Sequence, residues 1–374
     1  MRWAVRITVD GRHGHTFTAP ATVLAGRDRD CDISLPGPTA SRRHCRFTVD
    51  PPDVSVEDLN SRNGIRVGAS TGGVHTLRDG DEILAGGSSL RVAVTPADFP
   101  GYRLGPEIGR GAQGSVFLAR DRTDGTPVAV KVLHDVKPEG RLRFLREMRT
   151  GRALQHPNVV RFRAAHQDPV PFLVSDYCPG GSIDRSGVRP PAAAVRLTLD
   201  VLAGLTYAHQ VVMPDVDLAD GTTRSARGLV HRDIKPQNVL LADGIARIGD
   251  FGLAKAFELA GLSGHTRTGD MGGSADFLPR SQVLDYRSAG STVDVWAAAA
   301  TLYWMLTGSP PRDFPPGADP IGVVLREPCV PIRDRTPGIP APLAEAIDRA
   351  VDDDSELTAA ELAESLRTAM AAAE

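Results

Sequence analysis

The sequence predicts a multidomain chain: an all-β sandwich over residues 1–95, a linker at 96–101, and an α+β domain over 102–370. Three observations lead to that division. Residues 1–95 consist of short alternating segments (AVRITV, HTFTAP, HCRFTV, DVSVEDL, GIRV, DEIL, SLRVAV) broken by turn pairs such as Asp10-Gly11 and Asp79-Gly80, the pattern of half-buried strands in a small sandwich. The bridge TPADFPGY (95–102) then ends this pattern. From about residue 103 to 175 strands mix with one helix, and from about 191 onward helices dominate.

Along the second part, PAAAVRLTLDVLAGLTYAH (191–209), VDVWAAAATLYWMLTG (293–308) and PAPLAEAIDRAV (340–351) read as helices. The final TAAELAESLRTAMAAAE is a strong helix former with Thr358 as its N-cap. Two stretches read as loops, VVMPDVDLADGTTRSAR (211–227) and AGLSGHTRTGDMGGSADF (260–277). Within the first, Asp220-Gly221 between alternating residues predicts a small hairpin. No internal repeat is present.

Composition narrows the function classes. The 374 residues suffice for two or three domains, with 41% hydrophobic and 24% charged residues. A net charge of −3 gives no global field for nucleic acid or an anionic membrane. The four cysteines, Cys31, Cys45, Cys178 and Cys329, form no CxxC pair, which argues against a zinc site or a disulfide framework and fits a reducing compartment. No apolar run approaches the roughly 20 residues of a membrane span, and MRWAVRITVD has no signal-peptide core. The expected location is the cytoplasm, with no membrane span and no nucleic-acid partner.

Of 43 basic residues only Lys131, Lys137, Lys235 and Lys255 are lysines. An arginine-dominated chain that keeps lysine in VAVK and HRDIKPQN has a chemical reason to do so. Upstream, IGRGAQGSV (108–116) spaces Gly109, Gly111 and Gly114 so that the backbone can approach phosphate oxygens closely. A dinucleotide fold also uses GxGxxG, but there the loop opens a helix. Here a strand pattern, SVFLARD, follows, and then VAVK.

In that order these segments resemble the glycine-rich loop and β3 lysine of protein kinases. FLREMR (144–149), HPNVV (156–160), FLVSDYCPGGS (172–182), HRDIKPQNVLL (231–241), DFG (250–252) and DVW (294–296) extend the resemblance in chain order. It implies a bilobal protein-kinase fold, with an N-lobe over about 102–177 and a C-lobe over about 178–370. The resemblance further implies a Ser/Thr protein kinase that moves the ATP γ-phosphoryl to protein hydroxyls with Mg²⁺, or Mn²⁺ in its place. Asp233 would accept or orient the hydroxyl proton, and Lys235 would reach the γ-phosphate. Lys131, paired with Glu147, would hold the α/β-phosphates, a task suited to a flexible point charge. Asn238 and Asp250 would hold the metal. Ile108, Gly109, Gly111, Gly114, Val116, Ala129, Asp176, Cys178 and Leu240 would surround the nucleotide. Ser263, Thr266 and Thr268 are candidate phosphosites in the stretch after DFG, with Arg232 placed to receive a phosphate.

Four departures from that family stand out. FLPRSQ (277–282) replaces the usual APE, so its Glu is absent, and DDDSELTAAEL (352–362) lacks the usual Asp-Arg-Pro. Loss of both members of a buried ion pair is the expectation, since losing both is nearly neutral whereas losing one is not. Gly151 stands where a bulky apolar residue usually stacks on the Phe of DFG, which predicts a weaker stack. Ser175 predicts a small gatekeeper. The insert 211–227 is unusual, and its sequence assigns it no role.

LAGRDRDCDISL (24–35), ASRRHCRF (40–47), DLNSRNGIRVG (58–68) and LRDGDEIL (77–84) resemble, in register, the signature of forkhead-associated (FHA) domains. The resemblance implies capture of phosphothreonine by Arg27 and Ser41, with Arg42 adding charge and Asn63 holding the ligand backbone. His44 would tie the loops together. Arg62 stands where the family often has Thr, a change expected to alter ligand choice. The partners implied are protein substrates and phosphothreonine-containing proteins. The alternative function is a nucleotide-binding pseudokinase scaffold acting through its FHA-like part.

Overall fold

A computed structural model covers the chain and describes all residues except 1–2, 12, 18–19, 97–98, 112–113, 134–137, 168–170, 218–222, 252–254, 257–274, 286–288 and 373–374. Its residues form two compact units, Met1–Lys137 with His166–Phe172, and Pro138–Ala165 with Leu173–Glu374. Among the described residues no helix is long and apolar enough to cross a membrane. Ser263, Thr266, Thr268 and the Asp220-Gly221 turn lie outside the described residues.

In the first unit the alternating segments become β1 (Trp3–Val9), β2 (His13–Phe17), β3 (Ala21–Gly26), β4 (Ile33–Ser34), β5 (Cys45–Asp50) and β6 (Asp53–Asp58). They continue as β7 (Ile65–Val67), β8 (Ser70–Thr71), β9 (Val74–Leu77), β10 (Glu82–Ala85) and β11 (Ser88–Pro96). Two sheets result, in the orders β2-β1-β11-β10-β7-β8 and β4-β3-β5-β6-β9. Alternation puts Val5, Ile7, Phe47, Val56, Ile83 and Leu90 in one buried layer between them. All the pairings are antiparallel except β3 with β4.

The same unit continues with β12 (Tyr102–Gly111), β13 (Gly114–Asp121) and β14 (Pro127–Leu133), an antiparallel meander. Phe99, in the bridge, is 1% exposed, and its ring meets Phe172 edge-on at 4.8 Å.

The second unit carries α1 (Pro138–Ala153), β15 (Phe162–His166), β16 (Phe172–Asp176) and α2 (Pro191–Ala208); the units divide within β15 and β16. The insert forms the expected hairpin, β17 (Val212–Asp217) with β18 (Thr223–Arg227). Next come β19 (Leu229–Val230), β20 (Val239–Ala242), β21 (Ile245–Ile248) and β22 (Lys255–Ala256). Six helices follow: α3 (Arg280–Leu284), α4 (Thr292–Thr307), α5 (Pro320–Arg326), α6 (Ile332–Arg335), α7 (Ala341–Ala350) and α8 (Ala359–Ala371). The alanine-rich α4 is buried on nearly every side, and Leu202, Leu205, Leu343, Ile347 and Leu362 surround it in one core. Small side chains let neighbouring helices close on it from several directions. Thr358 caps α8 through a reciprocal box with Glu361, as its sequence predicts.

Packing bears on two sequence expectations. At Gly151 no gap remains. A Cβ there would stand 2.8 Å from the Phe162 ring, so an aromatic from β15 occupies the space. Phe251 instead packs on Leu154, Val159, Ala208 and Leu229. The ion pair at FLPRSQ is not lost either; its charges are reversed. Arg280 reaches Asp353 at 3.2 Å, and Arg312, only 2% exposed, binds the other carboxylate oxygen. Arg312 also donates to Glu327 O at 2.9 Å and lies over the Trp296 ring. The family's Glu–Arg polarity becomes Arg–Asp, so the buried cation keeps a partner.

Candidate active site and phosphate-binding loops

The segment 231–238 is held by a carboxylate at the start of α4. Asp294, fully buried, accepts from His209 Nε2 at 2.9 Å and from the backbone N–H groups of His231 and Arg232 at 2.7 Å each. Arg232 takes a left-handed backbone (φ 67°), a conformation that persists only where the surroundings over-determine it. Its N–H is taken by Asp294, its carbonyl accepts from Gln282 Nε2 at 2.9 Å, and its guanidinium donates to Ala289 O at 3.1 Å.

His231 Nδ1 accepts from the Asp233 N–H at 3.2 Å, so the ring proton sits on Nε2 and is donated to Gly249 O at 2.8 Å. The same ring meets Phe251 edge-on at 4.6 Å. The loop is thereby tied to the residues on either side of Asp250.

Asp233, Lys235 and Asn238 come together. Lys235 Nζ lies 2.9 Å from Asp233 Oδ2. Asn238 Nδ2 donates to the same oxygen at 2.9 Å and to Asp233 O at 2.8 Å. With both amide hydrogens engaged, Asn238 keeps Oδ1 as its free acceptor, a hard oxygen donor suited to a divalent cation. Gly249 N–H donates to Asn238 O at 2.8 Å, placing Asp250 one residue from that contact. Glu147 lies on α1 with 8% of its surface exposed.

Leu240, on β20, bridges Ser182, while Gly180 N–H donates to Leu241 O (3.0 Å) and Leu241 N–H to Gly181 O (2.8 Å). The run after Cys178 is thus sewn to the strand after Asn238. The Asp176 carboxylate takes Arg163 Nε at 2.6 Å and faces Arg247 at 3.7 Å, and its N–H donates to Arg161 O. Burial pushes the Cys178 thiol up, so it is a packing residue rather than a nucleophile.

In the first unit Gly109 pairs across to Val116, and Val116 to Lys131, while Gly111 stands opposite Gly114 and Ala129 opposite Leu118. A register shift between Glu107 and Gly109 spans Ile108. Arg110, inside the glycine run, makes a bidentate pair with Glu107 (2.6 and 2.8 Å), which holds its guanidinium above the usual arginine range.

The other loop cluster lies at one end of the sandwich. Arg27 N–H donates to Ser41 O and Asp28 N–H to Arg42 O, both at 3.0 Å. Gly26 permits this approach, for a Cβ there would meet Arg42 O at 2.2 Å. Arg62 N–H donates to Ser41 Oγ at 3.0 Å, and Asn63 Nδ2 to Thr39 O at 2.9 Å. His44, buried, accepts from Ser41 N–H at Nδ1 and so donates from Nε2 to Gly64 O, both at 3.0 Å. Arg27, Arg42 and Arg62 are therefore gathered around Ser41, all three exposed. Sequence reasoning missed His209, Gln282, Arg312 and Asp353. No local motif marks them, because the His209–Asp294, Gln282–Arg232 and Arg312–Asp353 contacts each span at least 41 residues.

The protein kinase domain model matches residues 102–327, and the FHA domain model matches residues 23–86. Over 280 residues the chain is 31% identical to the serine/threonine-protein kinase PknB of Mycobacterium leprae, covering 70% of this chain and 42% of that protein. It is 32% identical over 285 residues to PknB of Mycolicibacterium smegmatis (70% and 41%). Against the serine/threonine-protein kinase ATG1a of Arabidopsis thaliana it is 33% identical over 224 residues (57% and 32%). The chain spans less than half the length of these relatives. It belongs to the protein kinase family, with an FHA domain ahead of its kinase domain.

Proposed function

We propose that the chain is a Ser/Thr protein kinase whose kinase domain occupies 102–370 and whose sandwich, residues 1–95, binds phosphothreonine peptides. The observation that carries the reading is the contact set of Asp233, with Lys235 and Asn238 on one carboxylate oxygen. Proteins of this family use ATP and a divalent metal. Here Mg²⁺ would be held by Asn238 and Asp250 and would supply charge neutralisation to the triphosphate.

Each side chain then has a task. Asp233 orients the acceptor hydroxyl and takes its proton. Lys235 balances charge developing on the transferred group, and Lys131 grips the α/β-phosphates. The glycine run presents backbone N–H groups to the phosphates. Ile108, Val116, Ala129 and Leu240 offer apolar surface to adenine, and backbone at Asp176 and Cys178 hydrogen-bonds it. Arg27, Ser41 and Arg42 would hold a phosphate already made, with Asn63 on the peptide backbone. The pseudokinase reading is not favoured, because all five polar residues that phosphoryl transfer requires are present.

The test is mass spectrometry of phosphosites after incubation with Mg²⁺-ATP and a generic acceptor protein. Phosphate on Ser and Thr, lost in Asp233→Asn, is expected, with Ser263, Thr266 and Thr268 as first candidates. Equal labelling by Asp233→Asn would remove the assignment.

A further inference from the structure

The hairpin inserted ahead of the catalytic loop sits at a junction. β17 and β18 pair Val212 with Arg227 and Met213 with Ala226. At their root Gly228 N–H donates to Val211 O at 2.9 Å. The chain then runs into β19, which pairs with β22 just beyond Phe251, and then into His231. Val211 packs, with Tyr207 and Phe251, on the buried cluster of Leu154, Val159, Ala208 and Leu229. β17 lies alongside α1, and Met213 is 5% exposed. The end of α1 is also held by α2, where the Tyr207 hydroxyl donates to Ala153 O at 3.2 Å and accepts from Gln155 N–H at 3.1 Å.

α1 is a helix in need of support. Its sequence, PEGRLRFLREMRTGRA, contains Gly151, which costs up to about 1 kcal/mol relative to Ala in a helix. A helix of this composition is held by tertiary contacts, not by propensity.

We infer that the hairpin is a positioning element that braces α1 and the seat of Phe251, and thereby holds Glu147 and Asp250 in their working places. The inference rests on the kinase reading for its functional consequence, and on packing alone for the brace itself.

Because Val211 and Gly228 are already bonded, Val212–Arg227 can be replaced by Asn-Gly, a two-residue turn that closes such a pair. In this variant, amide exchange in α1 is expected to speed up at least about tenfold, with α4 unchanged. kcat should fall at least about tenfold, with KM for ATP held within about threefold. Met213→Ala should shift both in the same direction by a smaller factor, and decides the matter if the excision does not fold. Unchanged α1 exchange, or exchange raised equally in α4, overturns the brace. Should the native chain transfer no phosphate, the kinase reading fails, and the exchange result still decides the brace.

Discussion

The two regions proposed to handle phosphate are built in opposite ways. At the end of the sandwich, Arg27, Arg42 and Arg62 stand exposed around Ser41, held by backbone bonds while their guanidinium groups face solvent. In the catalytic loop charges are matched: Asp233 with Lys235, and Asp294 with one side-chain and two backbone donors. The contrast follows from the tasks. A module that captures a phosphate carried by another chain keeps its cations open to it. A site that transfers one needs its groups fixed beforehand, because preorganised charge needs no rearrangement during reaction. Charge removal should therefore cost stability in one region and ligand affinity in the other.

The largest effect is expected at Asp294. Asp294→Ala strands three donors, two of them backbone N–H groups of the catalytic loop, each worth roughly 1–3 kcal/mol when buried unsatisfied. Urea denaturation should show the kinase domain losing several kcal/mol while phosphopeptide binding by the sandwich persists. Asp353→Ala comes next. It leaves Arg312, 2% exposed, without a counter-charge, at a cost of roughly 3–5 kcal/mol. Adding Arg312→Met should recover part of that loss; no recovery would mean that the carboxylate acts otherwise than by charge.

On the open side, Arg27→Ala should leave the unfolding transition unchanged and weaken phosphothreonine-peptide binding by roughly 10–100-fold, the worth of about 1.5–3 kcal/mol for a charged hydrogen bond. A shift in unfolding comparable to that of Asp353→Ala would erase the contrast. The smallest effect belongs to Arg62→Thr. An exposed charge pair is worth at most about 1 kcal/mol, so affinity should fall less than about fivefold. The loss should show mainly for peptides carrying a second acidic group and fade in high salt.

How much of this was legible depended on where the physics resides. Two motifs dictated by chemistry read directly: HRDIKPQN, whose Asp233, Lys235 and Asn238 come together, and the SRRH and SRNG loops that converge on Ser41. Local periodicity also predicted the sandwich strands, the hairpin and the Thr358 cap. Packing between distant residues did not read. The pair at FLPRSQ looked lost because Asp353, the partner of Arg280, is 73 residues away and carries the opposite polarity from the family's usual residue. Gly151 looked like a missing contact because the ring that fills its space arrives from β15. Gln282 carried no motif at all, yet it holds the carbonyl of Arg232.

The most direct test of two phosphate sites with separate tasks is a crossed assay of Arg27→Ala and Asp233→Asn. Each is measured both for phosphothreonine-peptide affinity and for phosphoryl transfer from Mg²⁺-ATP to a generic acceptor. The account predicts that Arg27→Ala loses binding yet keeps transfer, whereas Asp233→Asn keeps binding and loses transfer by about 10²–10⁴-fold, the usual worth of a general base. Loss of both functions in either variant, or of neither, would contradict it.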